Sequence, residues 1–76
     1  MKNYGKIVEY NGKYGSIIDI NGIEYKLLDK NILYKDVKKY DNVEFENEYI
    51  KTPEIDIKIA RFVKILENKK QQTIKK

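Results

Sequence analysis

The chain has 76 residues, 16 basic against 12 acidic, with no cysteine and no histidine. A chain of that length supports one domain, which buries only about 60% of the surface its unfolded form exposes. Without cysteine there is no disulfide or thiolate metal site, so the fold rests on its own core. Catalysis has little to work with: there is no histidine for acid/base work, no cysteine nucleophile, no P-loop, and a single serine, Ser16, without a base partner. The expectation is a non-enzyme with no cofactor. No apolar N-terminal region and no run of about 18 apolar residues marks a signal peptide or a membrane span, so the expected location is cytoplasmic.

The net charge of +4 is unevenly spread. Residues 1–66 hold twelve basic and eleven acidic side chains, while the tail 67–76 holds Lys69, Lys70, Lys75 and Lys76 against Glu67. A nearly neutral domain followed by a basic tail is a weaker nucleic-acid signature than the pI of about 9.2 suggests. The tail reads either as a disordered, solvated end or as an electrostatic arm for a phosphate backbone.

In chain order, Lys6–Tyr10 is β-branched and aromatic and ends at Asn11-Gly12, a pair that suits a type I′ hairpin turn because both central residues need positive φ. Residues 4–10 and 13–19 are therefore expected as antiparallel neighbours. The run from Lys13 to Ile20 ends at Asn21-Gly22, a second such signal, and Ile23–Leu28 supplies a third strand. From Asp29 to Asp41 the apolar spacing is irregular, which suggests a long connection with one helical or 3₁₀ turn around 29–33. Val43–Tyr49 then alternates cleanly, with Val43 and Phe45 inward and Glu44, Glu46 and Glu48 outward. These carboxylates share a face but lack an apolar shell, histidine or cysteine, and read as a solvated strand face and not as a metal or acid/base site.

The last element is ambiguous. Thr52-Pro53 is a good helix start, and Ile55, Ile59, Phe62, Val63 and Leu66 fall at helical spacing. Against this, Ile55, Ile57 and Ile59 alternate with Asp56 and Lys58, and β-branched residues dominate. A strand over 55–65 is favoured, since four strands would leave a small barrel open at an edge. The whole reads as an all-β, five-stranded antiparallel Greek-key barrel of the OB type over residues 1–66, with a flexible basic tail over 67–76.

The motifs then become specific. Gly5-Lys6-Ile7-Val8-Glu9-Tyr10-Asn11 resembles the opening strand of the bacterial cold-shock proteins. Lys13-Tyr14-Gly15-Ser16-Ile17 is similar to a shortened form of their first ribonucleoprotein motif, and Tyr25-Lys26-Leu27-Leu28-Asp29 falls on the second. Tyr34-Lys35-Asp36-Val37, Val43-Glu44-Phe45 and Ala60-Arg61-Phe62-Val63 resemble the remaining conserved segments of that family in order and spacing.

The resemblance implies a single-stranded RNA and DNA binder that stacks bases on aromatics of its first three strands, at about 1–3 kcal/mol per base. That platform is depleted here. Glu9 stands where the family has Trp, Ser16, Lys26 and Asp29 where it has Phe, and Leu28 where it has His; of the central aromatics only Tyr14 remains. What is left is a charge-led site with little sequence preference, comprising Lys6, Lys13, Tyr14, Ser16 and Lys26, with Lys58, Arg61 and Lys64 on a nearby strand. The same lysines, interleaved with Glu9, Asp19 and Glu24, also read as ordinary mixed-sign surface. Tyr10, Tyr25 and Phe45 read as core. The alternative is a protein-interaction or assembly barrel, a homodimer included, whose former stacking face meets a partner through Leu28 and Ile18 or Ile20.

Overall fold

A computed structural model describes residues 2–33 and 37–66 of the chain. The expected Tyr34-Lys35-Asp36 motif and the basic tail 67–76 lie outside the described residues. Five strands, β1 (Lys2–Tyr10), β2 (Tyr14–Asp19), β3 (Glu24–Leu28), β4 (Asn42–Lys51) and β5 (Asp56–Ile65), close into a barrel in the order β1-β2-β3-β5-β4, with β4 returning to β1. The pairs are antiparallel except β3–β5, which run parallel. This is the OB-type barrel that the strand pattern predicts. A 3₁₀ turn over Asp29–Asn31 follows β3, within the span where the connection was expected to coil.

Each strand contributes to one core of Ile7, Ile17, Tyr25, Leu27, Val43, Phe45, Ala60 and Val63. Alternation accounts for most of it: Tyr25 and Leu27 on β3, and Val43 and Phe45 on β4, are two apart and point to the same side. Tyr25 and Phe45 meet edge to face at 4.8 Å between ring centroids, and Tyr10 packs on the margin of the cluster, half-buried. The three aromatics read as core thus all face it.

Both hairpins form, but neither is a type I′ turn. Asn11 and Asn21 keep negative φ, and only Gly12 and Gly22 adopt left-handed backbone, at 99° and 85°. The amide side chain of Asn11 instead accepts the N–H groups of Lys13 and Tyr14, each at 2.9 Å, which centres the first turn one residue later than expected. In the second, Asp19 C=O accepts Gly22 N–H at 3.0 Å while Asp19 Oδ1 accepts Asn21 and Ile23 N–H. The result is a three-residue loop whose left-handed last residue is Gly22. It leaves Ile20 at the loop tip, outside β2.

Two irregularities bend the sheet into closure. In β1 the pairing with β2 slips between Ile7 and Glu9, so Val8 is the extra residue of a bulge. Opposite it, β2 can carry only glycine: a Cβ at Gly15 would lie 2.1 Å from the Glu9 carbonyl oxygen. In β5, Glu46 pairs with Arg61 and Glu44 with Lys64, so Phe62 and Val63 together oppose Phe45. Phe62 takes φ 55° there.

The segment over 52–65 is not helical. Thr52 Oγ1 accepts the N–H groups of Glu54 and Ile55, and Thr52 N–H donates to Ile55 C=O. The side chain that caps a helix in other settings here closes the β4–β5 turn.

Candidate nucleic-acid interface

Residues paired across neighbouring strands share a face of the sheet, so the strand register fixes which predicted side chains meet. On the outer surface, Glu9 pairs with Ser16, Ser16 with Lys26, Lys26 with Ile59, and Ile59 with Glu48, giving one row across five strands. The adjoining rows pair Tyr14 with Leu28 on one side and Lys6 with Ile18 and Ile18 with Glu24 on the other. Lys6, Tyr14, Ser16 and Lys26 therefore lie on one face, with Lys13 at its edge in the β1–β2 turn.

The side chains differ in availability. Tyr14 is 63% exposed beside half-buried Leu28, and its backbone is pinned by Asn11. Lys6, Lys13 and Lys26 are exposed. Ser16 is only 9% exposed, and its hydroxyl donates to Glu24 Oε2 at 2.9 Å. That interaction holds a carboxylate on the face, where it opposes phosphate.

Lys58 and Arg61 flank this cluster on β5, either side of Ile59, the register partner of Lys26. Arg61 is ion-paired and hydrogen-bonded to Glu48, and its guanidinium also lies 5.8 Å from the Phe62 ring centroid. Lys58 is stacked over Tyr49 at 4.6 Å, on the arm where β4 and β5 pair beyond the last β1 partner, Lys2↔Glu46. Glu44, the register partner of Lys64, accepts from Lys2 Nζ at 3.1 Å, so two carboxylates of the β4 glutamate stripe, Glu44 and Glu48, are ion-paired. Lys2 is held above the usual lysine range by the Glu44 hydrogen bond and charge.

A shallow groove of about 190 Å³ opens between β3 and the start of β5, lined by Glu24, Lys26, Asp56, Ile57 and Lys58. Two carboxylates and two ammonium groups balance there, so it has no net attraction for an anion. Among the described residues no cluster of three or more His, Cys, Asp or Glu side chains could hold a metal ion, and no helix is long and apolar enough to cross a membrane.

Three features that shape this surface escaped the sequence: the Ser16–Glu24 hydrogen bond, the Arg61–Glu48 pair, and the outward display of Phe62. The last follows from the register alone. Ala60 and Val63 are both fully buried yet three residues apart, which unbroken alternation cannot give. No protein-family model matches the chain, and a search of curated proteins finds no match. The cold-shock likeness therefore rests on the residues themselves.

Proposed function

We propose that this domain binds single-stranded RNA or DNA through the outer face of β1–β3, as a cold-shock-like module in the cytoplasm, without enzymatic activity. The observation that carries the reading is Tyr14, an aromatic 63% exposed on a strand face, with half-buried Leu28 beside it and Lys13 and Lys26 around it. Stacking on one ring accepts any base, and lysines contact phosphate without reading sequence. Glu9, Glu24 and Asp29 border the same face, so the binding is weak and depends on salt.

Fluorescence polarisation of labelled oligo-U and oligo-dT with the full chain tests this. With Lys6, Lys13 and Lys26 on phosphates, a slope of about −2 in log affinity against log salt is expected, roughly a fifteenfold loss between about 50 and 200 mM. No binding at the lower salt would overturn the reading.

One observation favours a second reading, an assembly or protein-interaction barrel: Ile20 is 86% exposed, and Leu33 and Phe62 are 57% and 59% exposed. It predicts a dimer or larger species in sedimentation, lost on Leu28→Lys. A monomer that binds oligonucleotide would count against it.

A further inference from the structure

Phe62 is in the wrong backbone conformation for its size. Its φ of 55° lies in the left-handed region, and it occupies the first position of a two-against-one bulge opposite Phe45. When that position is left-handed it is ordinarily filled by glycine, because a Cβ there crowds the backbone. Burial of the ring would offset the strain, but Phe62 is 59% exposed. A residue that breaks a local rule without a packing return is a candidate for function, and of the two such residues among those described, Tyr40 and Phe62, only Phe62 lies on a strand of the barrel.

Its location gives that position a use. Tyr14 pairs with Leu28, and Lys26 pairs in parallel with Ile59, so two residues further on Leu28 stands level with Arg61, next to Phe62. Beyond it, Ile32 bridges Val63, and Leu33 N–H donates to Val63 C=O at 2.9 Å. Phe62 is thus two strands from Tyr14, about 10 Å at the usual strand spacing, with Leu28 between them. Exposed Lys30 on the 3₁₀ turn and exposed Lys64 on β5 border this path, and the Arg61 guanidinium lies 5.8 Å from the Phe62 ring centroid. Glu48 pairs with Arg61, and Glu44 and Glu46 are the register partners of Lys64 and Arg61, so the path is mixed in sign and its two exposed rings, more than its charge, suit it to unpaired bases.

We infer that Phe62 is a second base-stacking residue, extending the single-strand site from Tyr14 past Leu28 onto β5. The inference rests on the nucleic-acid reading above. It moves the missing aromatic surface from the first three strands to the bulge of the last.

The test compares Phe62→Gly, Phe62→Leu and Tyr14→Ala in the full chain, by polarisation with labelled oligo-U and oligo-dT at low salt and by thermal melting. Phe62→Gly relieves the backbone, so its Tm is expected to equal or exceed that of the wild type while affinity falls about 5- to 100-fold. Phe62→Leu keeps an apolar side chain without the π-face and is expected to lose affinity as well, which preserves the test if the glycine variant melts early. Wild-type affinity in Phe62→Leu would overturn the stacking role, and so would a wild-type dimer in sedimentation that Phe62→Gly dissociates while oligonucleotide affinity stays unchanged. If Tyr14→Ala weakens binding and neither Phe62 variant does, this inference alone fails. If the wild type binds neither oligonucleotide, the underlying reading fails with it.

Discussion

The Tyr25 hydroxyl donates to Asp19 Oδ2 across 3.0 Å, tying the core to the β2–β3 loop. The other oxygen of the same carboxylate holds the loop by accepting Asn21 and Ile23 N–H at 2.8 and 2.9 Å. Burial by itself would raise the Asp19 pKa, but the hydrogen bonds from Ile23, Tyr25, Asn21 and Gly22 outweigh it and hold the carboxyl below its ordinary value. Burial, and then Asp19, push Tyr25 above the usual phenol range.

The two shifts set opposite limits on stability. A lowered carboxyl pKa stabilises the fold above the unfolded value of about 3.9, and that share is lost as pH falls through the folded pKa. A raised phenol pKa contributes fully below about 10 and is lost as pH rises through the folded value. Melting temperature against pH should therefore show a plateau between these limits. Asp19→Asn should lower the plateau Tm and flatten its acid side, as the Tyr25 hydroxyl and the loop N–H groups lose a charged acceptor, at about 1–3 kcal/mol of stability; an unchanged Tm at neutral pH would remove Asp19 from the account of stability.

Gly15 should tolerate no side chain. A Cβ would lie 2.1 Å from the Glu9 carbonyl and 2.9 Å from Tyr10 Cα, both backbone atoms that cannot swing away. Gly15→Ala should cost at least about 2 kcal/mol, lowering Tm by roughly 10 °C or more in a domain of this size. Gly12→Ala serves as the comparison, since nothing lies within 4 Å of a Cβ there and its cost comes only from the left-handed φ of 99°. Equal melting of Gly15→Ala and wild type would contradict the close approach at the Val8 bulge.

Glu48 restrains Arg61. The pair is solvent-exposed, with side chains 44% and 42% exposed, so it adds at most about 1 kcal/mol to stability. Glu48→Gln should leave the Tm within a few degrees while releasing a cation beside the oligonucleotide path. Affinity at low salt should rise a few-fold and the salt slope steepen by about 0.7, one more phosphate contact. An unchanged slope would mean that Arg61 does not reach the nucleic acid.

Tyr14 should separate stacking from charge. Tyr14→Ala should weaken oligonucleotide binding about 5- to 100-fold, with the salt slope kept and Tm little changed because the ring is exposed. Lys26→Gln should instead make the slope shallower by about 0.7. The proposal predicts these two signatures to be distinct; the same change in slope from both variants would mean that one electrostatic patch, without stacking, does the binding.

The strands and part of the core, Tyr25, Val43 and Phe45, were legible because they depend on neighbours in sequence. Alternation around Val43 and Phe45, and glycines at 12 and 22, give strands and reversals whatever packs against them. The turn centres were missed because Asn11 and Asp19 serve as side-chain acceptors, an alternative to left-handed backbone that the residue type permits equally. Thr52-Pro53 made the last element ambiguous for the same reason, since a hydroxyl two or three residues before free N–H groups suits a turn as well as a helix; the strand favoured over 55–65 is the one that forms.

By itself, then, the sequence determined the strand segments, the inward residues Tyr10, Tyr25, Val43 and Phe45, and the exposed Lys6, Lys13, Lys26 and Tyr14, all of which follow from local period and chemistry. Only the tertiary structure decided which of those charges remain free. Ser16 meets Glu24, Arg61 meets Glu48 and Lys2 meets Glu44 through a register that couples residues 8, 13 and 42 positions apart. It also left Phe62 exposed, through a two-against-one bulge of β5 opposite Phe45, and no local pattern states where a bulge must fall.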